Sequence, residues 1–389
     1  MDNNVQFIKE SAPHIRRKDS INRMMLDVVI GLLPVIIFAF IFSPLQTLRN
    51  VLCSVLTMEL CEFVFVLIQN RIPYDGTKHT FKEQLVHGLK AYKLSDFMVP
   101  LVSALIYALI SPTDMEQGYF YLMYPALITG AVFGLVIGKL VFGGTGNNIF
   151  NPALVGMIFS KICFGSHYAY WNAFQQNTDG SNGVLVDAGA TSLSGVSNKT
   201  FQITGEGSYS LLDLFLGRIP GLLGEVCKVA IIIGFAYMVI RHAIDWRITI
   251  SYVGTFFVMM LIAGLIISNS KNATGINPFY FATYQMLSGG LLFGAVFMAT
   301  DPVTSPITQP GRVLYGIILA VCTTFIRLFA SLPEGVGYSI LIGNMMTSVI
   351  DYPKWSTNKW NWKNILIPSL VFVVFALIMI WALCVEVLG

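Results

Sequence analysis

The sequence predicts an all-α integral membrane protein of about ten transmembrane helices, arranged as two inverted repeats with half-helices near the midplane. Three observations carry this expectation. Of 389 residues, 55% are hydrophobic and only 12% charged, whereas soluble domains carry about a quarter of their residues as charges. The apolar residues gather into runs close to the roughly 17–25 residues that a bilayer-crossing helix needs. The halves also share a short pattern at an offset of roughly 190 residues: Ala108-Leu-Ile-Ser-Pro-Thr-Asp114 answers to Met298-Ala-Thr-Asp-Pro-Val-Thr304. Each copy leads into a Gly-rich helix, a loop and a short apolar segment, and an odd number of spans per repeat turns the second half over.

In chain order, the polar stretch Met1 to Arg23 is too long before the first apolar run to be a secretory signal, so 1–23 is expected to remain as a tail. Spans are expected at 24–42, 51–69, 97–112, 120–143, 149–165, 221–240, 248–267, 284–300, 313–330 and 365–387. Two shorter pieces, 211–217 and 339–350, are too brief to cross comfortably and read as half-helices or re-entrant segments. Repeat one is thus 24–165, a loop occupies 166–210, repeat two is 211–351, and 352–389 supplies a linker and a last helix.

Lysine and arginine mark the cytoplasmic side. The tail carries Lys9, Arg16, Arg17, Lys18 and Arg23, and loop 70–96 carries Arg71, Lys78, Lys82, Lys90 and Lys93. Counting onward puts Arg241 and Arg247 on the same side and loop 166–210 outside. The C-terminal side stays open, because Lys354, Lys359 and Lys363 fall inside only if 339–350 or an earlier short piece crosses.

Several chemistries are excluded. The net charge of +3 is small and no basic patch is interleaved with aromatics, which argues against nucleic acid. The six cysteines lie in or beside apolar runs without metal or redox spacing, and the five histidines are scattered, so no protein-bound metal is expected. The loop Gly143-Gly-Thr-Gly-Asn-Asn-Ile-Phe-Asn-Pro152 lacks the Gly-Lys-Ser/Thr ending of a phosphate loop. Its glycines, amide side chains and helix start suit a polar ring edge or an anion; a tight interhelical turn accounts for them equally well.

Ionisable residues inside apolar runs are the first functional candidates. They are Asp27, Glu59, Glu62, Lys139, Lys161, Glu225, Lys228, Arg327 and Glu386. Lys139, Lys161 and Glu386 lie near run ends and are expected to snorkel. Glu59 and Glu62 share a helix face, where two carboxylates share a proton or a cation; snorkelling or capping by a neighbouring subunit is the competing account. Glu225 closes the segment from Gly217 as an ion-path candidate, whereas Lys228 reads as structural. In Val184-Leu-Val-Asp-Ala-Gly-Ala-Thr-Ser-Leu-Ser-Gly195 one hydroxyl, Thr191, follows Gly189 and Ala190 in what reads as a flexible loop, with no triad around it.

Together these segments resemble the D subunit of the Rnf complex and are similar to the B subunit of the sodium-pumping NADH:quinone oxidoreductase. The resemblance runs almost end to end. It rests on Ser11-Ala-Pro-His-Ile-Arg-Arg-Lys-Asp-Ser20 leading into Met25-Leu-Asp-Val28, on Asn148-Ile-Phe-Asn-Pro-Ala153, Gly189-Ala-Thr191, Ile244-Asp-Trp-Arg247 and Met298-Ala-Thr-Asp-Pro-Val-Thr-Ser-Pro306. The Pro13-His14 tail and the Met25-Leu-Asp27 entry favour the Rnf branch. The resemblance implies a urea-channel-like fold and an electron-transfer subunit with FMN joined by phosphoester to a threonine, here Thr191, outside the membrane by a flavin transferase. Here Asp187 is followed by Ala188 and then Gly-Ala-Thr, a lead two residues shorter than the family pattern. A second, non-covalent flavin, riboflavin, is expected between the halves, with Asn148, Asn151 and Asp301 lining its site. The implied complex passes electrons between ferredoxin and NAD and moves Na+ or H+; its other subunits are A, E and G in the membrane and B and C in the cytoplasm. The competing readings are a channel or secondary transporter on the same inverted-repeat plan, and a scaffold that only binds partner subunits.

Overall fold

A computed structural model of the chain describes residues 21–72, 80–144, 146–176, 182–187, 210–269, 277–330, 335–352 and 360–388. Helix α2 (Pro44–Gln69) shows which solvent the fold is built for. Its buried residues are Thr47, Asn50, Ser54, Met58, Glu62 and Val66, mostly polar and spaced by four or three. Leu45, Leu48, Leu52, Leu56, Leu60 and Val64 point outward, 45–76% exposed. Helical periodicity separates the two sets onto opposite faces. In water this helix would be inside out; against hydrocarbon, polar side chains turn inward to find partners and leucines meet acyl chains. The chain is a multi-pass, mostly helical membrane protein.

Six helical stretches are long and apolar enough to cross: Ile21–Phe42, Pro44–Gln69, Phe120–Phe142, Trp246–Ser268, Gln309–Phe329 and Asn364–Val385. Counting two bent pairs raises this to eight: Lys82–Ala91 with Leu94–Ile110, bent by 78°, and Pro278–Leu287 with Leu291–Met298, bent by 61°. The count is therefore six to eight among the described residues and not the ten expected. The shortfall lies in α6 (Pro152–Phe164) and α8 (Lys228–Ile240), 13 residues each. Such helices are about 20 Å long against a hydrocarbon core of about 30 Å. The first residues of each expected run, 149–151 and 221–227, are not helical.

The remaining helices are α1 (Ile21–Phe42), α3 (Phe81–Ala91), α4 (Leu94–Ile110), α5 (Met123–Gly138), α7 (Leu211–Leu216), α9 (Trp246–Ser268), α10 (Pro278–Leu287), α11 (Leu291–Met298), α12 (Gln309–Phe329), α13 (Val336–Ile350) and α14 (Trp362–Leu388). The short piece at 211–217 is the six-residue α7, capped by Ser210. The piece at 339–350 belongs to α13, a 15-residue helix packed on α12 and α6. The two halves repeat one packing order. In the first, α2 packs on α4 and α5, α1 on α4, and α5 on α6; in the second, α9 packs on α10 and α12, α8 on α11, and α12 on α13. Counterparts meet across the middle, α1 on α8 and α6 on α13. The α1–α8 crossing is tight, since a Cβ on Gly234 would stand 2.2 Å from the Gly31 carbonyl oxygen. Helix α14 packs against α9 and α12 and has no counterpart in the first half.

The fold is not purely helical. Strands β1 (Asp114–Met115), β2 (Tyr168–Gln176) and β3 (Asn182–Asp187) form an antiparallel sheet in that order, with Met115 opposite Tyr168 and Tyr170 opposite Val186. Tyr168, Tyr170, Trp171 and Phe174 on β2 and Val184 and Val186 on β3 are strong strand formers. The start of the expected flexible loop is therefore an ordered hairpin. The Tyr168 hydroxyl lies 2.6 Å from that of Ser160 and ties the sheet to α6.

Candidate functional site

The site assembles where the loop before α6 meets the break after α11. Gly143, Gly144 and Gly146 have φ of +107°, +87° and +93°, a region that favours glycine, and they turn the chain out of α5. Asn151 then caps α6: its side-chain oxygen accepts the Ala153 N–H at 3.0 Å, and Pro152 fills the first helical position. The Asn151 amide nitrogen donates to the Met298 carbonyl at 3.4 Å, joining the first half to the second. The neighbouring Asn148 donates to the Phe150 carbonyl at 3.3 Å.

Across from it, α11 ends in a π-helical turn over Gly294–Met298 and the chain breaks at Asp301-Pro302. The Asp301 carboxylate accepts the Val303 N–H and the Thr304 hydroxyl, each at 3.2 Å, which shapes the turn. Neighbouring helices lock this turn. Thr347 of α13 donates to the Thr304 carbonyl at 2.9 Å, Asp351 accepts the Ile307 N–H at 2.7 Å, and Arg312 donates to the Pro306 carbonyl at 3.0 Å. Arg312 also pairs with Asp245, which caps α9 by accepting the Arg247 N–H at 2.9 Å. The Ile244–Arg247 and Met298–Pro306 motifs are thus two sides of one brace.

Asn148, Asn151 and Asp301 line a single cavity of about 60 Å3 between the halves, together with Lys139, Thr300 and Met24 at the start of α1. That volume takes a few waters or a hydrated cation. It is far below the roughly 300–1,000 Å3 of small-molecule pockets, so a flavin ring does not fit this cavity as it stands. Lys139, expected from its place near a run end to snorkel, does not: it is buried inside the protein. It is 1% exposed, with its ammonium 3.0 Å from the Glu62 carboxylate, itself 3% exposed. The pair closes because α2 packs against α5 with its polar face inward. Glu59, one turn earlier, is partly buried and accepts the Tyr92 hydroxyl at 3.3 Å. Asp27 is buried in an ion pair with Arg241 at 3.2 Å and also accepts the Tyr237 hydroxyl at 3.0 Å, tying α1 to α8.

Glu225 lies elsewhere. The adjacent Gly224 donates its N–H to the Leu109 carbonyl at 2.8 Å, beside the break that follows α4. Lys228, fully buried, donates to the Glu225 backbone carbonyl and, at 3.2 Å, to the Gly289 carbonyl. Arg327 donates to the Gln285 carbonyl at 2.6 Å and the Ser288 carbonyl at 3.2 Å. Two buried cations therefore face the carbonyl end of α10, where its dipole is negative. Thr191 lies outside the described residues; the described chain reaches Asp187 at the end of β3.

Sequence reasoning missed Asn344 and Tyr315. The Tyr315 hydroxyl lies 2.8 Å from the Asn344 side chain, and the amide orientation that satisfies both ends lets its oxygen accept the Asn151 N–H at 3.2 Å. It also missed Asn50, whose amide donates to the Pro112 carbonyl at 3.0 Å, and Thr249, which donates to the Ala295 carbonyl at 2.8 Å. Corresponding helices α2 and α9 thus support corresponding breaks. The available signal was the spacing of Thr47, Asn50 and Ser54 along one helix face. Among the described residues no group of three or more His, Cys, Asp and Glu side chains is placed to hold a metal ion.

Comparison with known proteins places this arrangement. The chain is 37% identical over 256 residues to the B subunit of the Na(+)-translocating NADH-quinone reductase of Chromohalobacter salexigens, an alignment covering 64% of this chain and 57% of that protein. It therefore spans a little over half of that relative's length. It is 30% identical over 366 residues to the protein of the same name from Ectopseudomonas mendocina, covering 89% and 87%. It is 26% identical over 348 residues to the D subunit of the proton-translocating ferredoxin:NAD(+) oxidoreductase complex of Clostridium ljungdahlii, covering 89% and 93%. The NQR2, RnfD, RnfE family model matches residues 8–357, which takes in both breaks, the braced cavity and every paired helix but not α14. On that match, the chain belongs to the NQR2, RnfD, RnfE family.

Proposed function

We propose that the chain is the flavin-bearing membrane subunit of an Rnf-type complex that couples electron transfer between ferredoxin and NAD to Na+ or H+ translocation. Family membership across residues 8–357 carries this reading. In it the two halves are inverted repeats of a urea-channel-like fold in the cytoplasmic membrane. The tail, α3 and the 143–151 loop face the cytoplasm, and the β hairpin faces out. FMN is joined through its phosphate to the Thr191 hydroxyl by a flavin transferase, just beyond a hairpin fastened to α6. When bound, it supplies one- and two-electron redox chemistry. The protein's own part is to hold that tether outside the bilayer and to present polar groups along an ion route. Glu59 and Glu62 serve at its cytoplasmic mouth, Asn148, Asn151 and Asp301 at the cavity between the halves, and Glu225 near the opposite break. A non-covalent riboflavin between the halves requires the cavity to open. The partners are Rnf subunits A, B, C, E and G.

The test is flavin fluorescence on a denaturing gel after co-expression with the transferase. A fluorescent band lost in Thr191→Ala and kept in Thr191→Ser is expected; a band that survives Thr191→Ala refutes the assignment. A second reading, membership of a Na+-translocating NADH–quinone reductase, is favoured by the 37% identity to one of that enzyme's subunits. Membranes carrying the assembled complex separate the two, because the Rnf reading requires NAD reduction by reduced ferredoxin and the second requires NADH-driven quinone reduction.

A further inference from the structure

Helix α3, within the first half, has no counterpart among the described residues of the second half and lines neither the cavity nor the brace. It begins with a capping box, in which the Thr80 N–H donates to Glu83 at 2.9 Å, and α4 turns away from it by 78°. With α4 crossing the bilayer, as the proposed function has it, the 78° turn lays α3 close to the membrane plane. One side of it is fastened to the end of α2: Gln84 accepts the Ile72 N–H at 3.0 Å, the His87 ring is 2.9 Å from the Asn70 carbonyl, and Gly88 abuts Leu67. The opposite side is open. Val86 and Leu89 are each 48% exposed there, and Leu94 and Phe97 in the first turn of α4 are 57% and 39% exposed.

Lys82, Lys90 and Lys93 are exposed around these apolar side chains, and none has an ion pair among the described residues. The nearby carboxylates are engaged in caps, Glu83 with Thr80 and Asp96 with the Lys93 N–H at 2.9 Å. We propose that α3 is an interfacial anchor whose Val86–Leu89 face sits at the headgroup boundary and whose three lysines bind anionic phospholipid. An apolar strip edged by long basic side chains suits that boundary, where the stems lie on acyl chains and the ammonium groups reach phosphate. Protein–protein interfaces, by contrast, are depleted in lysine. Each lysine near an anionic surface strengthens attachment about fivefold, and the three together on the order of 100-fold at low salt.

The test uses the full chain with Val86→Cys in nanodiscs of phosphatidylcholine, with or without about one-third phosphatidylglycerol. Labelling by a membrane-impermeant maleimide is read on the peptide region 62–162, which contains no native cysteine. The expected result is labelling at least about tenfold slower with phosphatidylglycerol, with high salt or the Lys82/Lys90/Lys93→Gln variant abolishing the difference. Unchanged thermal unfolding of the Gln variant shows that its loss of protection is not misfolding. If that variant does not fold, the salt dependence of Val86→Cys alone decides. Equal labelling rates in the two discs overturn the proposal. Protection that appears only with the other subunits bound, whatever the lipid, also overturns it and makes α3 a protein-docking face.

Discussion

Replacing Lys139 by Met removes one member of a pair with almost no access to solvent, the two side chains being 1% and 3% exposed and 3.0 Å apart. At an effective dielectric constant of about 20, unit charges at that distance attract by about 5–6 kcal/mol. Losing one partner of a buried pair typically costs about 3–5 kcal/mol, because the other charge is stranded. Protonation limits this loss. Taking up a proton at pH 7 costs a carboxyl of ordinary acidity about 3–4 kcal/mol, and that cost falls by about 1.4 kcal/mol for each pH unit downward. Lys139→Met is therefore expected to lose about 3–4 kcal/mol at pH 7 and visibly less at pH 6. The double variant Lys139→Met with Glu62→Leu recovers most of the loss, since nothing charged is left buried. Denaturant unfolding of the purified chain at both pH values, run as a double-mutant cycle, measures each quantity. Losses that simply add, or that ignore pH, would refute the view that Lys139 is held for Glu62.

Other substitutions test the brace, the crossings and the ion route. Asn151→Ala removes both a helix cap and a bond between the halves and should cost about 1–2 kcal/mol, measured as a shift in denaturant midpoint. Gly134→Ala should destabilise strongly, because its Cβ would stand 2.5 Å from the Pro152 carbonyl oxygen. Gly254→Ala meets nothing within 4 Å on α9 and should gain up to about 1 kcal/mol. On the proposed function, Glu62→Gln should slow ion uptake in vesicles carrying the assembled complex while leaving any flavin fluorescence of the chain on a denaturing gel unchanged; normal uptake would remove Glu62 from the proposed route.

Much of the site is legible in the sequence because breaks in helices are written in backbone chemistry. Pro112 and Pro302 disfavour the helical conformation at the residue before them, and Asn151 before Pro152 is a helix start by composition alone. Those residues, with Asp301, pointed to a place between the halves, and one cavity brings Asn148, Asn151 and Asp301 together. Lys139 is a different case. Its place near the end of an apolar run is what a snorkelling lysine shows, and only the approach of α2, 77 residues earlier at Glu62, reveals its partner. Asn344 was hidden for a similar reason, since a short apolar piece says nothing about which neighbour it packs on. The hairpin was obscured by the small residues that follow it, although Tyr170-Trp171 and Val184-Leu-Val carried a strand signal.

The inward polar face of α2 also has a history in synthesis. When this helix leaves the ribosome, Glu59 and Glu62 enter an apolar passage before the segment containing Lys139 exists. At about 5–20 residues per second, the 77 residues between Glu62 and Lys139 take roughly 4–15 s to make. A charged group at the centre of an inserting helix carries an apparent penalty of about 2.5–3.5 kcal/mol; Glu59 and Glu62, past the middle of α2, carry less than that each, which the leucines of the opposite face offset. Membrane entry of the first helical hairpin thus depends on its lipid-facing side, and its polar side is completed only when α5 arrives beside it.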